Sequence, residues 1–137
     1  MGDGEAVFGW RDGTLVPTEY SGGPWSPHPI QGSASAGLLA RVVESMAADT
    51  GMAVSRLSFD LWRPAPVGPI GVETETLRDG RKIGAIHASL MAGGAEVARC
   101  TTVLTGPSTS EIDPTPVNGA QNLHPTPALK ERYTSFG

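Results

Sequence analysis

Cysteine is almost missing from this chain: Cys100 is the only one in 137 residues. A single thiol excludes an internal disulfide framework and suits a reducing compartment. No apolar run approaches the roughly 18 residues that span a bilayer. Basic residues are also scarce, 10 Lys and Arg against 14 Asp and Glu, for a net charge of −4. That balance leaves no electrostatic footprint for nucleic acid. The start, "MGDGEAVFGWRDG", lacks the basic residues and apolar stretch of a signal peptide. Together these absences predict a cytoplasmic protein that binds neither membrane nor nucleic acid. His28, His87 and His124 have no metal-ligand spacing, so no metal or other cofactor is expected.

What is abundant is turn chemistry, with 18 Gly and 12 Pro. Between the turns lie periodic segments. Around Leu15 and Val16 a short strand is expected, ended by Pro17. Leu39, Val42, Val43 and Met46 then follow helical spacing, which predicts one amphipathic helix over residues 33–48. Ser33 or Ser35 is the expected cap, and Gly51 the stop. Gly37 inside the helix suggests close packing, since a helical Gly otherwise costs about 1 kcal/mol.

After the helix the period changes to two. In "VSRLSFDLW", Leu57, Phe59 and Leu61 share one face and Arg56, Ser58, Asp60 and Trp62 the other. "IGVETETL", "KIGAIHASLMA" and "AEVARCTTVLT" read as a three-stranded meander. Asp79-Gly80 and Gly93-Gly94 are the expected two-residue hairpin turns. Cys100 falls in phase with Ala98, Thr102 and Leu104, as a buried, inert thiol; His87, alone mid-strand, reads as structural. From Gly106 onward, prolines interleave with Ser, Thr and Asn. The organisation expected is one α+β domain over residues 1–105 and a Pro/Ser/Thr-rich tail or linker over 106–137.

Three segments carry a resemblance: "GPWSPHPIQGSASAGLLARVVES", "RLSFDLWRPAPVGPI" and "RDGRKIGAIHASLMAGGAEVARCTTVL". In order and spacing they resemble the thioesterase-like superfamily, in particular the N-terminal hotdog half of double-hotdog acyl-CoA thioesterases. The resemblance covers residues 14–105. It implies a hotdog fold, one long central helix wrapped by an antiparallel sheet. It also implies pairing of hotdog units, as a homodimer or with a second repeat, and an acyl-CoA site between the units beside the helix N-terminus. Family chains carry much of their catalytic machinery in the second repeat.

The candidate site residues cluster where the Gly- and Pro-rich loop enters the helix. A helix N-terminus presents unpaired amides, and preorganised amides stabilise the oxyanion of a thioester under attack. Gly32 and Ser33 are the expected oxyanion donors; an ordinary capped N-terminus is the plainer alternative. A hydrolase also needs a group to handle water. No carboxylate occurs between Ser21 and Val43, so the candidates are His28, Gln31 and, from the following strand, Asp60. A loop histidine, a loop hydrogen bond and a solvated strand carboxylate are their respective plainer roles. Trp25 and Trp62 are candidates for lining an acyl tunnel. Arg63, Arg81, Lys82 and Arg99 are candidates for meeting CoA phosphates, or are surface charges. Three functions remain open: a thioesterase-like protein that hydrolyses or binds an acyl thioester, a non-catalytic acyl-binding half-domain that needs a partner, and a hotdog acting on a carrier-bound acyl or polyketide substrate.

Overall fold

The computed structural model describes residues 6–107. The tail proposed from Gly106 onward lies outside them except for its first two residues. Strands β1 (Phe8–Arg11) and β2 (Thr14–Pro17) form a hairpin, followed by a short 3-10 turn, Glu19–Ser21. Strands β3 (Gly22–Gly23) and β4 (Ser26–Ile30) form a small two-stranded sheet and lead into helix α1 (Gly32–Thr50). Then come β5 (Ala53–Leu61), β6 (Ile70–Arg78), β7 (Ile83–Ala92) and β8 (Ala95–Thr105).

The main sheet has six antiparallel strands in the order β1-β2-β6-β7-β8-β5. One helix packs against it, which is the hotdog arrangement. The meander β6-β7-β8 occupies the middle, as the alternation predicts. Strand β5 returns from the helix to pair with β8, Phe59 opposite Cys100 and Asp60 opposite Arg99. It forms one edge of the sheet.

Helix α1 buries one narrow stripe, Ser35, Leu39, Val43 and Ala47, at the four-residue spacing that places side chains on one face. The stripe meets Ile86, Ala88 and Leu90 of β7 and Ala98, Cys100 and Leu104 of β8, all buried in one core. Cys100 is buried, its Sγ 3.5 Å from the hydroxyl of Thr102. Truncating a residue such as Leu39 would cost about 2–5 kcal/mol.

Several local expectations need correction. The helix runs from Gly32 to Thr50 rather than over 33–48. Its N-cap is Gln31, and no side chain caps the first amides. Ser33 is exposed and Ser35 is buried on the core stripe, so neither serves as the cap. Gly51 does end the helix, in the left-handed conformation at φ 69°. Gly37 does not mark close packing: it is exposed, and a Cβ there would meet nothing within 4 Å. The Asp79-Gly80 turn is longer than two residues, because β6 ends at Arg78 after an irregularity and β7 starts at Ile83. Gly93 and Gly94 form the two-residue turn as expected, both at positive φ, between the paired Ala92 and Ala95. On β5, Leu57 packs on the core, whereas Phe59 and Leu61 remain exposed although they share its face.

The glycines give a test with opposite signs. A Cβ on Gly80 would sit 2.5 Å from the backbone oxygen of Ile83, and backbone cannot move aside as a side chain does. Gly80→Ala should lower stability by about 1–3 kcal/mol. Gly37→Ala removes a helix-interior glycine from open space and should raise it by about 0.5–1 kcal/mol. Urea denaturation of both variants checks the pair; equal shifts would contradict the packing described.

Candidate functional site

The entry into α1 is held from two sides. The Gln31 amide donates to the Ser21 carbonyl at 2.7 Å, and the Ile30 amide to the Ala65 carbonyl at 2.9 Å. Ile30 and Ala65 are both buried. The loop after β5 and the end of β4 therefore clamp the residues that precede the helix. The first helical bond runs from the Ser35 amide to the Gln31 carbonyl at 3.1 Å. The amides of Gly32, Ser33 and Ala34 come before it and have no intrahelical acceptor. The first turn carries no acidic side chain, so nothing neutralises the positive end of the helix locally.

A pocket of about 460 Å³ opens at this end of the helix, within the usual range for small-molecule sites. Trp25, Ile30, Leu61, Trp62, Pro64 and Ala98 make it largely apolar, and Gln31, Gly32, Ser35 and Arg63 also line it. Gly32 matters through its missing side chain: a Cβ would lie 3.0 Å from Leu61 Cδ1. Ser35 is 4% exposed and faces this space.

Four of the sequence-derived site residues are brought together here: Trp25, Gln31, Gly32 and Trp62. Three are not. His28 is exposed and borders a separate depression with Pro17, Glu19 and Val67. Ser33 is exposed and its side chain does not line the pocket, although its backbone amide, the group expected to act, is among the unpaired amides of the first turn. Asp60 is exposed on the outer face of the sheet, opposite Arg99. Of the basic candidates, Arg63 alone lines the pocket. Arg81 and Lys82 lie by Gly106, near the other end of β7 and β8. No carboxylate or imidazole is among the described lining residues.

Sequence reasoning missed Ser35 and the polar cluster behind Trp62. The signal for Ser35 was present: it stands four residues before Leu39, on the buried stripe. The cluster has no local sequence signature. Glu96 Oε1 accepts from the Trp62 indole N–H at 2.8 Å and from Arg99 Nε at 2.9 Å. Glu96 Oε2 accepts from Arg99 Nη2 at 3.0 Å and from the Ser89 hydroxyl at 2.9 Å. Arg99 also lies over the Trp62 ring, 5.6 Å from its centroid. The hydrogen bonds from Arg99 and then from Trp62 hold the Glu96 carboxyl at about 2, well below the usual carboxylate range. The same pair raises Arg99. Because the Ser89 hydroxyl donates to Glu96 Oε2, its oxygen is left to accept from His87 Nε2, 3.0 Å away.

Comparison with known proteins agrees with the fold and shows the family. A family model described as the acyl-CoA thioesterase N-terminal domain matches residues 22–105. None of the curated proteins matches the chain. Among solved structures, a Bacillus halodurans protein determined with CoA is 15% identical with a TM-score of 0.59, covering 66% of this chain and 63% of that one. The chain thus spans less than two thirds of that relative. A phenylacetic acid degradation-related protein from Ralstonia eutropha is 22% identical, TM-score 0.59, over 72% of this chain and 83% of that one. A Streptococcus mutans protein bound to acetyl CoA is 15% identical, TM-score 0.61, over 72% and 81%. Likeness at these identities shows the fold.

The lowered Glu96 value makes a pH prediction. A folded-state value below the unfolded one means the stabilisation is complete above about 4.5 and lost as pH falls through about 2. With Trp10 and Trp25 replaced by Phe, emission from Trp62 should stay flat across the ordinary carboxylate range and change only as pH approaches about 2. A transition near 4.5 in a chain still native by circular dichroism would mean that Glu96 is not held as described.

Proposed function

The chain belongs to the acyl-CoA thioesterase N-terminal domain family, and on that premise we propose that it binds an acyl thioester in the pocket at the N-terminus of α1. The observation that carries this reading is the apolar pocket opening directly onto Gly32. The acyl chain lies against Trp62, Leu61 and Pro64. The thioester carbonyl approaches the unpaired amides of the first turn, where the absence of a Cβ at Gly32 leaves room for it. Gln31 offers both an amide donor and a carbonyl acceptor beside it.

The same amides suit hydrolysis. When water attacks the carbonyl carbon, a C–O bond forms, the oxygen takes up negative charge, and the C–S bond then breaks with the thiol as leaving group. Amides aimed at that oxygen are worth about 3–4 kcal/mol in comparable sites. Water must still lose a proton, and the described lining holds no group with a pKa suited to accept it. Gln31 orients water but takes no proton. The base therefore comes from a second hotdog unit, and hydrolysis belongs to the paired protein. Acyl binding without turnover is the second reading, and the lining itself favours it for an unpaired unit.

Pairing is expected along β5. Phe59 is 36% exposed, Leu61 and Trp62 are each 52% exposed, and Trp25 is 91% exposed. An apolar edge strand of nine residues invites another strand. If two copies pair antiparallel about a dyad at Ser58, Leu57 faces the partner subunit's Phe59, and Arg56 faces the partner subunit's Asp60. That register is complementary in both shape and charge, and it gives a homodimer with the helices side by side. Buried, reduced Cys100 fits a cytoplasmic site of action.

Three outcomes test the reading. The wild-type chain should bind thioether analogues of acyl-CoA, measured by calorimetry, and Gly32→Val should weaken binding by at least about tenfold, or 1.4 kcal/mol, with native circular dichroism. Undiminished binding would place the site elsewhere. Turnover of acyl-CoA, followed by thiol release, should appear only in the paired protein, and a catalytically active monomer would refute the shared site. Light scattering should give a dimer that Asp60→Arg dissociates and Arg56→Asp combined with Asp60→Arg restores; a monodisperse wild-type monomer would defeat the β5 interface.

A further inference from the structure

Trp62 holds an unusual position. It follows the last residue of β5, lines the pocket, and is 52% exposed. A tryptophan with that much freedom at the end of an edge strand would ordinarily sample several side-chain rotamers. Here each part of it is tied. Its backbone amide donates to the Val97 carbonyl at 3.0 Å. Its indole N–H donates to Glu96 Oε1 at 2.8 Å, and Arg99 lies over its ring. Glu96 is itself fixed, by two bonds from Arg99 and one from Ser89, which is 6% exposed. Both oxygens of the carboxylate are committed, so its plane is determined, and the plane determines the direction from which the indole must approach.

None of these polar groups faces the ligand. Glu96, Ser89, Arg99 and His87 do not line the pocket. The ladder places Ser89 opposite Arg99 and His87 opposite Thr101, whereas the residues alternating with them, Ala88, Leu90 and Cys100, form the core. The cluster therefore lies on the outer surface of the sheet. The chain crosses from Leu61, which reaches toward Gly32, to Trp62, which reaches toward Glu96. These two consecutive side chains carry the outer network to the pocket wall.

We propose that Glu96 is a positioning residue for the acyl pocket: through the Trp62 indole it fixes the wall against which the acyl chain packs, without touching the ligand. This rests on the acyl-binding reading above. A carboxylate on the far face of the sheet then sets how well the pocket fits a longer chain. Arg99 acts as its counter-ion and as the lid of the indole, and is thereby withdrawn from any role in meeting CoA phosphates.

Two measurements test the proposal. In protein with Trp10 and Trp25 replaced by Phe, acrylamide quenching reports the freedom of Trp62 independently of any ligand. Glu96→Ala should raise the quenching constant, and Glu96→Gln, which keeps an acceptor for the indole, should restore most of the protection. With all tryptophans present, calorimetry compares S-octyl-CoA with S-ethyl-CoA. Glu96→Ala should bind the octyl thioether about tenfold more weakly, the scale of losing one hydrogen bond to a charged acceptor. Binding of the ethyl thioether should be unchanged, and Glu96→Gln should recover most of the octyl affinity. Unchanged quenching, or equal weakening of both thioethers, would overturn the proposal while leaving acyl binding intact. A wild-type chain that binds neither thioether would instead overturn the acyl-binding reading, and this inference with it.

Discussion

The stripe formed by Ser35, Leu39, Val43 and Ala47 has to leave water, and the inner face of the sheet along β7, β8 and β5 offers the matching surface. The rest of the molecule follows from that contact. The helix has a single apolar face, so it lies along the sheet and cannot be enclosed on all sides. Its first residue then falls where the β4 end and the loop after β5 meet. The bonds Gln31–Ser21 and Ile30–Ala65 hold that entry on both sides. The pocket is the space left where the stripe has run out of large side chains. Above Leu39 the next stripe residue is Ser35, and the helix then begins at Gly32. Small residues at the top of a packed face leave a gap, and Leu61 and Trp62 form the opposite wall.

The sheet contributes more than a surface for the helix. Its outer face carries a polar row, Glu73 opposite Ser89, Ser89 opposite Arg99, and Arg99 opposite Asp60. On most strands such residues are only solvated. Here the irregularity between Leu90 and Met91 in the β7-β8 ladder pairs Met91 with Glu96 and shifts the register by one. Glu96 thereby comes onto the outer face near Arg99 and Trp62. An in-register hairpin would alternate differently at that point. A one-residue slip exchanges the two faces of a strand, and this one is what turns a surface acid into an anchor.

The parts legible in the sequence are those governed by local periodicity. The amphipathic helix, the three-stranded meander and the Gly93-Gly94 turn all follow from residues within a few positions of one another, although the buried stripe runs through Ser35 and Ala47 where the spacing predicts Val42 and Met46. Two of the Asp-Gly pairs show where such reasoning stops. Asp12-Gly13 makes a tight hairpin, both residues at positive φ, yet only the strand around Leu15 and Val16 is expected from the sequence, since Phe8–Arg11 is too short to show a clear alternation of its own. Asp79-Gly80 carries the same signal and makes no two-residue turn, because the register shift after Thr76 lengthens the connection. Dipeptide chemistry permits a turn; the ladder on either side decides whether it forms. His28 and Asp60 failed to reach the pocket for a related reason. Proximity in sequence to the helix start suggested His28, and the polar face of β5 suggested Asp60, but the His28 side chain borders a different depression and Asp60 lies on the outer face of the sheet. Glu96 lay beyond sequence reasoning because its partners stand 34 residues upstream at Trp62 and on both sides of a bulge.

The pocket and the β5 edge share residues, and this ties binding to assembly. Leu61 and Trp62 line the pocket and are also the exposed end of the edge strand. Trp25 stands almost wholly in solvent at the rim. An apolar wall half open to water binds an acyl chain poorly, since much of the chain's surface would stay hydrated. A second unit along β5, as proposed, would remove water from the same side chains and bring its own groups to the unpaired amides at Gly32. The outer network serves that arrangement as well. With the Trp62 indole held by Glu96, the edge strand would present one shape to both a ligand and a second unit, and neither encounter would have to spend free energy ordering it.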